Sequence, residues 1–293
     1  MSSPTRTPTT YLSLLLLAAM HAACLLIFIV PMSPIAIGLA VGGYAIRMWA
    51  ITAGYHRYFS HRTYKTSRGF QYVLAVLGTS AMQNGPLWWA SWHRNHHRFS
   101  DKAADLHSPV QHGFWHAHMG WILDAESDDP DLSNVADLAR YPELRMLESH
   151  KWWPVIGYIV LCYAIAGWSG VVWGGVFSTV LLLHATALIN SLGHRWGSRR
   201  YATPDASRNN AVLAVLTFGE GWHNNHHHAM SSARQGFRWW ELDLSYYSLW
   251  LLAAVGVIWQ LREPSRATLE RGLLSALSAE PPAAALRAAG RSV

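Results

Sequence analysis

Residues 11–30 read YLSLLLLAAMHAACLLIFIV, twenty positions without a lysine, arginine, aspartate or glutamate. At about 1.5 Å per residue, a helix of that length covers about 30 Å, the thickness of a bilayer's hydrocarbon core. Pro31, Ser33 and Pro34 then make a turn, and a second apolar run fills 35–53. Further along, 153–168 and 171–192 repeat the arrangement around Gly167, Ser169 and Gly170. The pattern predicts an all-α integral membrane protein with four transmembrane helices in two hairpins, spanning about 11–30, 35–53, 153–168 and 171–192. Both termini and the long middle segment then share one side.

Charge placement agrees. No lysine or arginine lies between Pro31 and Ser33 or between Gly167 and Ser169, whereas ten lie from Arg57 to Lys151 and eleven follow His194. Short hairpin tips facing outward and basic segments facing the cytoplasm are what the positive-inside rule produces. Segments 54–152 and 193–262 are therefore expected to form a cytoplasmic helical cap, which completes a membrane domain over 1–262. The Ala- and Arg-rich tail 263–293 is expected to be partly disordered. The runs 71–82 and 246–261 are too short to cross comfortably and read as interfacial or buried helices. Only 14% of residues are charged, against about 25% in soluble domains. The net charge of +6 forms no basic face on a soluble fold, so nucleic acid is not expected as a partner. Cys24 and Cys162 both fall in apolar runs, which argues against a disulfide framework. The apolar run continues past Cys24 to Val30, so the first span reads as uncleaved rather than as a signal peptide.

Histidines carry the chemistry. They occur as HRYFSH (His56, His61), HRNHH (His93, His96, His97), NSLGH (Asn190, His194) and HNNHH (His223, His226, His227). Every cluster sits at or between the cytoplasmic ends of the expected spans. Residues three and four apart on a helix share a face, so each cluster can point several imidazoles the same way. Nine nitrogen donors exceed the three or four that one tetrahedral zinc takes; divided between two metals they give four or five each. Imidazole suits iron as well as zinc or copper. The Glu-x-x-His pattern of soluble di-iron bundles is missing.

In this order and topology the four motifs resemble the membrane fatty acyl desaturases of the stearoyl-CoA desaturase type, over about 35–262. The likeness is greatest to the bacterial branch, through TAGYHRYFSHRTYKTSR, GPLWWASWHRNHHRFSD and GEGWHNNHHHAMSSARQGFRWWELD. The resemblance implies two irons in the cap and O₂ as co-substrate. It assigns one iron to His56, His61, His93, His97 and His227, and the other to His96, His194, His223 and His226 with Asn190 acting through water. It also places Gln83, Trp89 and Thr186 at the bend of an acyl tunnel, Tyr44 and Met48 at its closed end, and Asn84 at a substrate contact. A cis double bond at the ninth carbon is the product implied, in a bacterial inner membrane with the active site facing the cytoplasm. No cytochrome b5 or flavin motif occurs in the sequence, so a ferredoxin-type or cytochrome b5-like donor with its reductase is implied as a partner beside membrane lipid.

Where related acyl-CoA enzymes carry basic residues against phosphates, this chain has Ser91, Trp92, Ala125 and Glu126. Phosphate recognition wants Arg or Lys, so acyl-CoA, a carrier-protein thioester and the acyl group of a phospholipid all stay open as substrates. Asp105 and His107 are placed to orient a ligand histidine. His228 reads as a support behind the ligand histidines or as surface, His112, His116, His118 and His150 as surface or interface residues, His184 as a hydrogen-bonded residue inside a span, and Arg47 as within snorkelling reach of the interface. A hydroxylase, epoxidase or acetylenase on the same scaffold is the nearest alternative. A non-enzymatic metal-handling membrane protein is the other, and would need more histidines deep within the spans.

Overall fold

A computed structural model describes residues 8–124 and 127–273. Three helices are long and apolar enough to cross a membrane: Tyr11–Phe28, Pro34–Ser60 and Trp152–Ser191. Helix α1 (Pro8–Ala23) tightens into a 3₁₀ turn over Cys24–Phe28. Helix α2 (Pro34–Trp49) starts where the Ser33 hydroxyl accepts from the Ala36 amide at 3.1 Å with Pro34 in the first turn.

The third candidate is bent back on itself. Within α9 (Trp152–Ser169), Gly167 takes φ 56° and ψ −143°, a backbone open to glycine. The chain then reverses. The Tyr158 hydroxyl donates to the Gly174 carbonyl at 2.8 Å, and a Cβ on Gly170 would lie 2.1 Å from the Cys162 carbonyl oxygen. The return arm is π-helical over Gly170–Phe177 and continues as α10 (Ser178–Ser191).

Two expectations for polar residues need correction. Arg47 does not snorkel: it is buried, its guanidinium reaches Gly43 O, Ser178 Oγ and Thr179 Oγ1, and it lies over the Tyr158 ring at 4.0 Å. These partners satisfy the charge inside the helix bundle and tie α2 to α9 and α10. His118, expected at the surface, is also buried. Its Nε2 meets His184 Nδ1 at 3.0 Å and its Nδ1 meets Ser191 Oγ at 3.0 Å, while His184 Nε2 meets His21 Nε2 at 2.9 Å. A relay of histidines thus links α1, α10 and α6 (Phe114–His118), because an imidazole removed from water needs polar partners.

The second span runs past its expected end at 53. It continues as a π-helix over Ala50–Ser60, entirely buried. Around it pack α3 (Arg68–Thr79), α4 (Pro86–Phe99) and α13 (Leu244–Ala254), with α8 (Pro142–Ser149) against α3 and α4. The core of Tyr55, Phe59, Leu74, Leu87, Leu144 and Leu249 lies among these elements. Short helices α5 (Pro109–His112), α7 (Ala136–Ala139), α11 (Ala211–Leu216) and α12 (His223–His228) complete the cap region. The all-α expectation misses one small ribbon, β1 (Lys65–Thr66) antiparallel to β2 (Ile258–Trp259). The tail expected to fray from 263 is structured through Leu273, with α14 over Arg266–Glu270 and a bridge from Leu273 to Tyr201; 274–293 lie outside the described residues.

Candidate metal centre

The π-helix explains how HRYFSH works. His56 and His61 are five apart, a poor spacing for one face of an α-helix. Here the His61 amide donates to the His56 carbonyl at 3.2 Å, an i to i+5 bond. The wider turn brings the two rings to 4.8 Å between centroids. π-turns are rare and concentrate at functional sites. Helix α4 supplies His93, His96 and His97; α12 supplies His223, His226 and His227; His194 follows the end of α10.

These nine histidines gather into two sets, whose donor atoms in each set all lie within 4.8 Å of one another: His56, His61, His93, His97 and His226, and His96, His194, His223 and His227. The partition implied by resemblance is therefore corrected at one pair, with His226 and His227 exchanged. On α12, adjacent residues point about 100° apart. His226 Nε2 faces His56 Nε2 at 3.0 Å and His97 Nε2 at 2.9 Å, whereas His227 Nδ1 is drawn to Asp205 at 2.7 Å.

In the first set the ring nitrogens point inward in succession. His61 Nε2 meets His93 Nε2 at 2.8 Å, and His93 Nε2 meets His97 Nε2 at 3.0 Å. A neutral imidazole nitrogen offers either one proton or one lone pair, so five Nε2 atoms turned toward one another cannot satisfy each other in pairs. A cation among them satisfies all five. A bond of about 2.1 Å requires opposed donors about 4.2 Å apart, close to the spread observed.

Carboxylates hold the outer nitrogens. His96 Nδ1 donates to Asp105 at 3.0 Å, His194 Nδ1 to Asp101 at 2.9 Å and His227 Nδ1 to Asp205 at 2.7 Å. In the first set His56 Nδ1 lies 2.6 Å from Glu220. A carboxylate on Nδ1 fixes the tautomer that presents the Nε2 lone pair; His227 Nε2 is buried with no protein partner. Burial, reinforced by neighbouring imidazoles, pushes His61, His93, His97, His223 and His226 well below the ordinary histidine range. Burial also lowers His227, and Asp205 offsets part of that to leave it at about 4. Burial opposes ionisation of the carboxylates, yet the histidine contacts win: Asp101 lies at about 2, and Asp105 and Asp205 lie below the usual carboxylate range. These six imidazoles are thus neutral, the form that binds metal. The donor set fits a pair of transition metals.

A cavity of about 230 Å³ runs beside the histidines, lined by Gln83, Asn84, Trp89, Thr186 and Asn190 together with His93 and His107. Gln83 Nε2 donates to Thr186 Oγ1 at 2.8 Å, Trp89 Nε1 donates to Gln83 Oε1 at 3.4 Å, and the Trp89 ring stacks on His93 at 4.9 Å. Tyr44 and Met48 are not among the lining residues. Met48 is buried in the core, and the Tyr44 hydroxyl donates to Leu216 O at 2.7 Å. His107 contacts Asp105 at 3.3 Å and packs on His96. His228 joins neither set; it stacks on Tyr201 at 3.9 Å and meets Thr268 O at 2.7 Å. Ser91 is buried against Asp131 O, Trp92 lines the cavity, and Ala125 and Glu126 lie outside the described residues.

Sequence reasoning missed Asp101, Asp205 and Glu220, and gave no role to Lys151, which lines the cavity beside Asn84. Asp101 and Glu220 lie close to the motifs, four residues after His97 and three before His223, where an orienting carboxylate is a natural thing to seek. Asp205 and Lys151 carry no such signal.

Comparison with known proteins agrees with this geometry. The fatty acid desaturase family model matches residues 30–254. Icosanoyl-CoA 5-desaturase of Limnanthes douglasii is 39% identical over 233 residues, covering 78% of this chain, and the alignment spans 65% of that protein's length. Delta-9 acyl-lipid desaturase 2 of Arabidopsis thaliana is 40% identical over 231 residues, 78% of this chain and 75% of that protein. Hex-5-enoyl-[acyl-carrier protein] acetylenase of Moorena producens (strain JHB) is 34% identical over 260 residues, 82% of this chain and 81% of that protein. With its helical architecture and two histidine sets, the chain belongs to the fatty acid desaturase family.

Proposed function

We propose that this protein is an O₂-dependent, di-iron acyl desaturase that introduces a cis double bond at the ninth carbon of a long acyl chain. The observation that carries the reading is the convergence of nine histidines from distant segments into sets of five and four. One iron is assigned to His56, His61, His93, His97 and His226. The other is assigned to His96, His194, His223 and His227, with Asn190 acting through water. When bound, the iron pair supplies the oxidising chemistry that an unactivated methylene C–H bond requires. In balance, one CH₂–CH₂ unit, O₂, two electrons and two protons yield one CH=CH unit and two waters. The electrons are assigned to a separate ferredoxin-type or cytochrome b5-like donor.

The residues' own share is position and dryness. Trp89 packs on His93 and is fixed through Gln83 to Thr186, which gives the reacting segment a rigid wall beside the first set. Leu16, Met20 and Leu183 make the opposite lining apolar and exclude water. The reversal at Gly167 supports reading the third apolar helix as two crossings, four in all. With the basic segments on one side, the cap and both termini are assigned to the cytoplasm. The relatives' names span CoA, lipid and carrier-protein substrates, so the family alone leaves the head group open.

Lipids of a host expressing the protein, separated by gas chromatography with mass spectrometry, provide the test. New monounsaturated chains are expected. Hydroxylated or acetylenic chains in their place would assign the scaffold to the reaction of the acetylenase relative or a hydroxylase, and an unchanged profile with two irons bound would sink the oxidative reading.

A further inference from the structure

The cavity's end at the membrane boundary carries information on the head group. Asn84, Lys151 and Trp152 line it there, where the third candidate span begins. Lys151 Nζ donates to Asn84 Oδ1 at 2.7 Å, leaving its other protons free for an oxygen of the substrate. Lys151 is the sole lysine among the described lining residues, and no arginine joins it. Its charge is shared with Glu148 one turn earlier, whose carboxylate accepts from the Leu87 and Trp88 amides at 2.9 and 3.0 Å. A coenzyme A thioester carries three phosphate groups, and phosphates are held by clusters of Arg and Lys. One lysine beside a carboxylate does not supply that field. A single donor pair matches a carbonyl or one phosphate oxygen.

The side wall is equally informative. Leu12, Ser13, Leu16, Leu17 and Met20 come from one face of α1. No residue of this candidate span is buried within the structure, and its polar link to the rest is His21 on His184. The cavity is therefore separated from the bilayer by one lightly packed helix.

We propose, on the basis of the desaturase reading, that the substrate is an acyl chain still esterified in a membrane glycerolipid. It enters sideways past α1, with Lys151, held by Asn84, as the specificity-determining contact to the lipid's ester or phosphate oxygen. Membranes of an expressing host, which contain the electron donor, are supplied with deuterated stearoyl-phosphatidylcholine or deuterated stearoyl-CoA, and initial rates of deuterated olefin are followed in each lipid pool. The olefin is expected first in phosphatidylcholine, with unlabelled stearoyl-CoA failing to compete. Lys151→Ala is expected to raise KM for the phospholipid about tenfold with kcat within twofold, and Lys151→Arg to restore it; a tenfold change equals about 1.4 kcal/mol. Olefin appearing first on CoA or on a carrier protein would overturn the proposal while leaving the desaturase reading intact. Phospholipid kinetics unchanged in Lys151→Ala would remove Lys151 from recognition. Absence of deuterated olefin in every pool would instead bring down the reading on which the proposal rests.

Discussion

The two histidine sets have different supports. In the set of four, three imidazoles donate Nδ1–H to aspartates, the partly buried Asp101 and the buried Asp105 and Asp205. Among the described residues the set of five has one such partner, Glu220 on His56, while His97 Nδ1 and His226 Nδ1 are buried without one. Its rings are instead positioned by secondary structure and packing: the π-turn that pairs His56 with His61, the one-turn spacing of His93 and His97, and Trp89 stacked on His93. One set is oriented by charge, the other mainly by backbone and rings. Groups hydrogen-bonded to a metal's ligands tune the basicity of those ligands, so the two sets, loaded with iron, are expected to differ in affinity and to respond to different substitutions.

The sharpest break in the comparison comes from neighbours on α12. His226→Ala is expected to empty the set of five and His227→Ala the set of four. Each should lower turnover at least about a thousandfold, because ligand loss removes the metal chemistry outright. Mössbauer spectra of iron-57-loaded protein report each iron as its own doublet, and the two variants should lose different ones. Loss of the same doublet in both would mean that the partition at His226 and His227 is wrong. Next in size are the carboxylates. Asp101→Asn or Asp205→Asn should weaken one iron by about 10- to 100-fold, read as iron retained against a graded chelator, and should leave the other nearly untouched. Equal loss of both irons would erase the distinction between the supports.

Acid offers a milder probe of the same contrast in the chelated protein. The buried imidazoles stay neutral in the fold far below their ordinary range, His227 down to about 4. In the unfolded state they take up protons near pH 6.5. Between those values the unfolded state binds more protons, so stability falls as pH drops from 6.5, by about 1.4 kcal/mol per pH unit for each such group. Asp101, at about 2, stays ionised across this window and does not reverse the trend. The unfolding temperature of chelated protein in detergent should therefore decline from pH 7 to pH 5. A flat profile would show that the imidazoles are already solvated without metal.

Which histidines converge was legible because metal-donor chemistry is written in residue type. How they divide was not. His226 and His227 differ by one residue, and their assignment depends on the φ and ψ of a six-residue helix and on Asp205, a loop residue without a motif. The helix end past 53 was hidden for a related reason: hydropathy ends where polar residues begin, but the hydrogen-bonded helix runs on as a π-turn through Ser60. Hydropathy also could not see that Arg47 finds Ser178 and Thr179 across the bundle, since its partners are far away in sequence. Gly167 was the opposite case, a turn residue whose role in reversing the helix follows from its own backbone freedom.

The smallest expected effect tests whether packing alone supports the set of five. Trp89→Phe keeps an aromatic ring over His93 but deletes the Nε1–H that reaches Gln83 at 3.4 Å. A bond that long contributes at the low end of about 0.5–1.5 kcal/mol, so iron affinity of this set should shift by no more than about threefold. Trp89→Ala removes the stack as well and should shift it further, with the set of four as the unchanged internal standard. If Trp89→Phe instead costs as much as Asp101→Asn, the Gln83–Trp89 hydrogen bond is doing for the first set what the aspartates do for the second. The two sites would then differ in the route of support, through a tryptophan rather than a carboxylate, and not in its polar character.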